Sequence, residues 1–380
     1  RESGQDQMSI PDARTLLLTG LLSIAEALCI PARNPDVHPL MIERVGKAQP
    51  LYGEADTLTL TVIGDIMLHS RQMEYPYGPF LAGVSARLRE SDFAIGNMEF
   101  TLAGEPYSGY PAFSAPDQYA EYAAECGIDV FLTANNHILD KGLRGLARTL
   151  DVYGEMEADG RIRFTGSAVD DEDKNRRYPL MLRKKGFNIA LINFTYGTNV
   201  GDLSEDWPAT FRMRREDIAA AIARAEEKMA DFIIALPHWG NEYELRHSVS
   251  QMELAQWMVA GGVDAIVGSH PHVVQDSCVI GGSPVFFSIG NAVSNMSAPN
   301  TQIGMAVTLK FARDRKGDKK MLEPEVTYTW CSLPGRLSGN YTTVEVKDYL
   351  GCRDKWLNEA DYYKMKRTYS HVKETTGVSD

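Results

Sequence analysis

Thr57-Leu58-Thr59-Leu60-Thr61-Val62-Ile63-Gly64-Asp65 is the stretch on which the reading of the fold turns. Apolar residues alternate with threonines, the period of a strand with one buried face. The run then stops at a glycine followed by a carboxylate. The same event recurs along the chain. Residues 92–95 run into Gly96-Asn97-Met98-Glu99, and 128–133 into Asn135-Asn136-His137. Residues 231–236 run into Pro237-His238-Trp239-Gly240, and 263–267 into Gly268-Ser269-His270-Pro271-His272. Residues 284–287 run into Ser288-Ile289-Gly290-Asn291. Residues 188–194 form another such strand, ending at Thr195-Tyr196-Gly197 without an obvious ligand. Helical patterns lie between, over 116–126, 141–156, 216–229 and 248–260. Strand then helix, repeated, predicts an α/β fold with largely buried parallel strands.

Outward from this block the pattern changes at both ends. Residues 1–56 read as an N-terminal helical extension. Ser9-Ile10-Pro11-Asp12 is a helix start, the helix runs to about Ala27, and Pro31, Pro35 and Pro39 break the chain. The apolar stretch 16–30 carries Glu26 and is too short for a membrane span, so an ordered, packed helix is expected. The block itself covers 57–295. Beyond it, 303–311 and 323–330 read as an antiparallel hairpin that completes a sheet. Residues 344–372 read as a polar helix anchored by Trp356, Leu357, Tyr362 and Tyr363.

Composition removes several classes. With 39 Lys and Arg against 51 Asp and Glu, the net charge is −12, which argues against nucleic acid as the main partner. A local cation such as a bound metal still holds an anionic group. None of the five cysteines forms a CxxC pair, so neither a thiolate zinc site nor a disulfide framework is implied. Spacing alone leaves a Cys331–Cys352 pairing open.

The strand ends carry the chemistry. In α/β sheets, sites form beyond the carboxyl ends of strands. Five of these ends hold metal-ligand residue types: Asp65, Glu99, Asn136 with His137, His238, and His270 with His272. Of the eight histidines, four lie in these motifs and His69 lies just after one, so the placement is concentrated rather than scattered. Mixed Asp, Glu, Asn and His ligation suits borderline or hard divalent ions such as Zn, Mn or Fe. A carboxylate bridging two ions, flanked by histidines, is how two-metal hydrolases are built. Each motif alone has a plainer reading, as a turn, a helix cap or core packing. The pair His270 and His272 after a buried strand is the hardest to assign to packing.

Taken together, these six motifs, with Asn135-Asn136-His137-Ile138-Leu139-Asp140 and His238-Trp239-Gly240-Asn241-Glu242-Tyr243 read in full, resemble the ordered set of the poly-γ-glutamate capsule biosynthesis (CapA-like) family. That family is similar to the calcineurin-like phosphoesterases. The resemblance implies a metallophosphoesterase-like four-layer sandwich of two mixed β-sheets flanked by helices. It implies two metals: Asp65 and His272 on the first, Asn136, His238 and His270 on the second, and Glu99 between them. His137 would be the general acid, oriented by Asp140. His69, Asn97 and Glu242 are candidate ligands or supports of ligands, and Trp239, Tyr243 and Asn291 candidate substrate contacts. Tyr196 is a further candidate pocket wall. One departure is that Asp65 is followed by Ile66-Met67, where the superfamily has Asp-x-His. The implied activity is metal-assisted hydrolysis of a phosphoester or related bond. The alternatives are an amide hydrolase acting on polyglutamate and a non-catalytic, polymer-binding scaffold subunit of a capsule synthesis complex. The implied partners are an anionic small molecule or glutamyl polymer and other capsule synthesis subunits. The family implies the cell surface, and the low cysteine content leaves the cytoplasm as the alternative.

Overall fold

The structure, a computed structural model, describes residues 56–200 and 209–380 and the backbone of Val37–Pro39. The expected N-terminal helix lies outside the described residues.

The chain enters through β1 (Val37–Pro39) and β2 (Thr57–Ile66). Then come α1 (Ser85–Glu90), β3 (Phe93–Met98), α2 (Asp117–Glu125), β4 (Val130–Leu132), α3 (Gly142–Ala158), β5 (Arg163–Thr165) and α4 (Asp171–Arg177). The second half of the expected block holds β6 (Leu180–Lys184), β7 (Phe187–Thr195), α5 (Arg215–Glu227), β8 (Phe232–His238), α6 (Val249–Ala260) and β9 (Ala265–Val267). It closes with β10 (Ser277–Ile280), β11 (Ser283–Phe286) and β12 (Asn291–Val293). The chain continues through β13 (Ile303–Arg313), β14 (Lys319–Met321), β15 (Glu325–Ser332), β16 (Thr342–Glu345) and α7 (Glu359–Thr376).

Two mixed sheets result. One has the order β1-β10-β11-β9-β8-β7-β6, the other β16-β15-β13-β2-β3-β4-β5, with β12 beside β2 and β14 beside β13. Strands β2 to β5 are parallel, and so are β7, β8 and β9. The period-2 alternation sorts side chains between layers. Leu58, Leu60 and Val62 of β2 meet Ile189, Leu191 and Ile234 in a core between the sheets. Ile63 and Ile66 point the other way, onto Leu146, Leu150 and Tyr153 of α3. Ala190, Ile192 and Ile233 likewise face α5 and α6 on the far side. Helices, sheet, sheet and helices therefore stack as four layers, the expected fold class.

The C-terminal hairpin is built into the fold, because β13 pairs antiparallel with β2 as well as with β15. The expected long helix over 344–372 is shorter than its pattern. Residues 342–345 are the edge strand β16, which Val344 anchors in the core, short 3-10 turns follow at Val346–Tyr349 and Arg353–Lys355, and the α-helix begins at Glu359, capped by the Asn358 side chain. Trp356 and Tyr362 are buried as expected, whereas Leu357 and Tyr363 are exposed. Cys331 and Cys352 are unpaired, and the Cys331 thiol lies 3.5 Å from the Ser294 carbonyl oxygen. Among the described residues no helix is long and apolar enough to cross a membrane.

Gly64 shows why the first motif needs glycine. A Cβ there would stand 1.9 Å from the Gly290 carbonyl oxygen, a main-chain atom that accepts the Asp65 N–H at 3.0 Å. Close backbone approach thus locks Asp65 to the Gly290-Asn291 turn. Gly64→Ala is expected to cost about 3 kcal/mol or more by overpacking. Gly78→Ala, where nothing lies within 4 Å, should stay within about 0.5 kcal/mol. Denaturant unfolding of both variants checks the contrast.

Candidate metal centre

The parallel strands of both sheets end on the same side, and the motif residues converge there. Asp65 closes β2, Asn97 lies on β3, Glu99 follows it, and His238 closes β8. The loops after β4 and β9 supply Asn135 to His137 and His270 to His272. All six residues expected as ligands are buried. Three overlapping sets of side chains each bring candidate ligand atoms within 4.8 Å of one another. They are Glu99-His238-His270, Asp65-Glu99-His272 and Glu242-His270-His272. Glu99 belongs to the first two.

The environment of each group decides its charge. Glu99 is fully buried, and neither carboxylate oxygen has a hydrogen-bond partner among the described residues. Its Oε1 is 3.8 Å from His238 Nε2 and 3.7 Å from His272 Nε2. Burial, then the Asp65 charge, raises its pKa well above the usual carboxylate range. Asp65 accepts the Asn97 amide at 2.8 Å and lies 3.2 Å from His272 Nδ1. Burial opposes a proton on His272, but Glu99 and Asp65 outweigh it and push its pKa up to about 10. Asn291 orients that ring, with Oδ1 2.9 Å from Nδ1 while its amide donates to the Thr301 carbonyl. Asn291 is itself buried, with its side chain committed to His272 and Thr301.

His238 is neutral, its pKa held well below the ordinary value by burial and then by His270. Ser269 Oγ at 2.9 Å and Asn97 Nδ2 at 3.3 Å both donate to Nδ1, so the proton sits on Nε2 and points at Asn136 Oδ1, 2.8 Å away. A metal ion would replace that proton and join the two ligands. Burial, then His272, pushes His270 down to about 3, and its Nδ1 has no partner among the described residues. His270 and His272 sit at φ +100° and +57°. Such backbone costs about 1–3 kcal/mol per residue and persists only where the surroundings enforce it. Orphaned oxygens on Glu99, an orphaned nitrogen on His270 and neutral imidazoles form a donor set that suits a divalent metal ion.

His137 stands beside this set. Its Nδ1 is 2.7 Å from Asp140 Oδ2, which also accepts the Phe113 N–H at 2.8 Å. The edge-on ring of Phe113, 4.7 Å away, fixes the imidazole plane. His69 lies apart, with Nδ1 3.0 Å from Gln72 Oε1, and belongs to none of the three sets. Trp239 is also elsewhere. Its indole is buried in the outer core and donates to the Phe287 carbonyl at 2.9 Å. Tyr196 and Tyr243 are exposed, and the Tyr196 ring lies 4.6 Å from that of His270. Asn199 is the residue that the sequence reading misses. Its N–H donates to the Asn136 carbonyl at 2.9 Å and its side-chain oxygen faces the Asn136 amide at 3.4 Å. That leaves Asn136 Oδ1 turned towards His238.

The sequence profile described as bacterial capsule synthesis protein PGA_cap matches residues 59–296. The chain is 30% identical over 277 residues to the capsule biosynthesis protein CapA of Bacillus anthracis, covering 69% of this chain and 66% of that one. It is 26% identical to the PGA biosynthesis protein CapA of Bacillus subtilis, covering 69% and 70%. The match thus spans about two thirds of each relative. A 5′-nucleotidase precursor from Thermus thermophilus superposes with TM-score 0.41 at 14% identity, covering 84% of this chain and 58% of that one.

Ligation requires neutral imidazole, so a metal ion held by His272 would have to displace its proton. Metal uptake near pH 8 is expected to release protons, and affinity should rise as pH climbs from 7 towards 10. Calorimetry in buffers of different ionisation enthalpy measures this. Uptake without proton release would remove His272 from the ligand set.

Proposed function

The chain belongs to the bacterial capsule synthesis protein PGA_cap family, and from that premise we propose that it is a metal-dependent hydrolase acting on a phosphoester or related bond of an anionic substrate. The observation that carries the proposal is Glu99, a buried, unpartnered carboxylate shared by two sets of ligands. Asp65, Glu99 and His272 would hold one ion, and Glu99, Asn136, His238 and His270 a second, with Glu99 between them. A pair of Mn, Fe or Zn ions in this place supplies Lewis acidity and a water nucleophile at neutral pH.

The remaining steps belong to the chain's own side chains. Asn97 holds Asp65 through one oxygen. Asn291 sets the His272 ring and Asn199 the Asn136 amide. His137, fixed by Asp140 and Phe113, presents Nε2 to the leaving group and protonates it. Tyr196 and Tyr243 flank the entrance.

A second reading of the same site, in which the bond cleaved is an amide of a glutamyl polymer, fits the names of the Bacillus relatives, which speak of capsule and PGA biosynthesis. Both readings require metal. Elemental analysis of protein purified without chelator, with His270→Ala as control, tests that requirement. About one or two Mn, Fe or Zn per chain, lost in the variant, supports it. Wild type that takes up no metal overturns it. A panel of phosphoesters and poly-γ-glutamate then separates the two bonds.

His137→Asn tests the acid. It is expected to lower kcat by about 10²- to 10⁴-fold while metal content stays unchanged. Equal loss on substrates with good and poor leaving groups would refute the assignment.

A further inference from the structure

The third ligand set, Glu242-His270-His272, differs from the other two in its burial. Glu242 is exposed, while both histidines are buried. The loop that carries it follows β8 and is tied directly to the segment between the histidines, because the Tyr243 N–H donates to the Pro271 carbonyl at 2.9 Å. Tyr243 takes φ +67° to make that contact. The clip therefore sets Glu242 at the mouth of the site rather than in open solvent. Its carboxylate adds to the negative charge that raises the pKa of Glu99. A second, independent observation points to a ligand here: the buried Nδ1 of His270 is unpartnered among the described residues.

Three features set what this carboxylate can do. The other two ligand sets, which share His270 and His272 with this one, are complete without it, so Glu242 is not needed to assemble the core of the centre. It is reached from water, so leaving its position needs no opening of the fold. The position takes a carboxylate, the group that a glutamyl polymer presents at every residue.

We infer that Glu242 is an exchangeable ligand of the metal centre, which holds the place that a substrate carboxylate takes on binding. The inference rests on the reading that Asp65, Glu99, His238, His270 and His272 hold divalent ions, and it adds the recognition of carboxylate-bearing substrates. Glu242 and the incoming carboxylate compete for one position, so the resident group both supports the ion and selects what can replace it.

The test compares wild type with Glu242→Gln, which keeps size and removes charge at an exposed position. Metal-free protein is titrated with Mn²⁺ by calorimetry, and glutarate is then titrated into the Mn²⁺-loaded proteins. The expected loss of Mn²⁺ affinity is about tenfold, at the low end of the effect of disturbing a metal's surroundings. Glutarate is expected to bind the loaded variant about tenfold more tightly, because no resident carboxylate has to leave. Equal Mn²⁺ affinity in the two proteins overturns the inference and leaves the metal centre standing. Weaker Mn²⁺ binding without tighter glutarate binding makes Glu242 a fixed ligand and overturns the exchange. Wild type that takes up no Mn²⁺ overturns the metal-centre reading and this inference with it.

Discussion

A carboxylate taken out of water, Glu99, with neither oxygen hydrogen-bonded among the described residues, is the constraint around which this molecule is organised. Leaving such a charge unpaired costs several kcal/mol, so Glu99 stays neutral or meets a cation. Its neighbours do not provide an ordinary salt bridge. Asp65 repels it, His238 and His270 are held neutral by burial, and His272, the neighbour that keeps its charge, spends Nδ1 on Asp65 and Asn291 and faces Glu99 only through Nε2. The nearest imidazole nitrogens stand 3.7 and 3.8 Å away, beyond hydrogen-bond length. That spacing is poor for a direct contact and open to an ion between the groups.

The fold keeps this arrangement in place by backbone means. Three separate hydrophobic cores clamp two sheets between helices, so the strand ends cannot drift to relieve their side chains. Gly64 lets β2 approach the Gly290 carbonyl, and Gly268 lets the chain before His270 pass the Phe287 carbonyl, where a Cβ would stand 2.2 Å away. His270 and His272 then accept left-handed backbone that histidine does not prefer. Strain, burial and unpaired polar atoms fall on the same few residues, as expected where a site rather than packing dictates the geometry.

The sequence exposed much of this and hid some of it, for physical reasons. Strand periodicity followed by ligand-type residues located Asp65, Glu99, Asn136, His238, His270 and His272, because a parallel sheet turns a repeated local pattern into one shared edge. Asn199 carried no such signal. It lies on a loop after β7, where nothing in the local pattern reveals that its amide will meet Asn136. For Trp239 the sequence offered both a pocket and a core reading, because the residue after a strand end can turn either way, and here the indole meets a carbonyl in the outer core. Val344 and Glu345 were read as the start of a helix, yet the free edge of β15 offered residues 342–345 four pairings, and tertiary pairing prevailed over local preference.

The chain's net charge of −12 bears on how such a site is used. A polyanion approaching this surface is repelled at long range, and that field is screened beyond about 10 Å at 0.1 M salt. Capture must then come from short-range attraction, which the buried ligand set provides only when it holds cations. Without them, the mouth presents the Glu242 carboxylate, wrong in sign for an anionic ligand, and the fully buried Glu99 behind it offers no positive charge. With divalent ions bound, the same carboxylates become the means of holding positive charge at the base of an acidic protein. The acidity of the surface and the proposed preference for an anionic substrate are therefore compatible, because selectivity moves from the protein's overall field to one metal-bearing position.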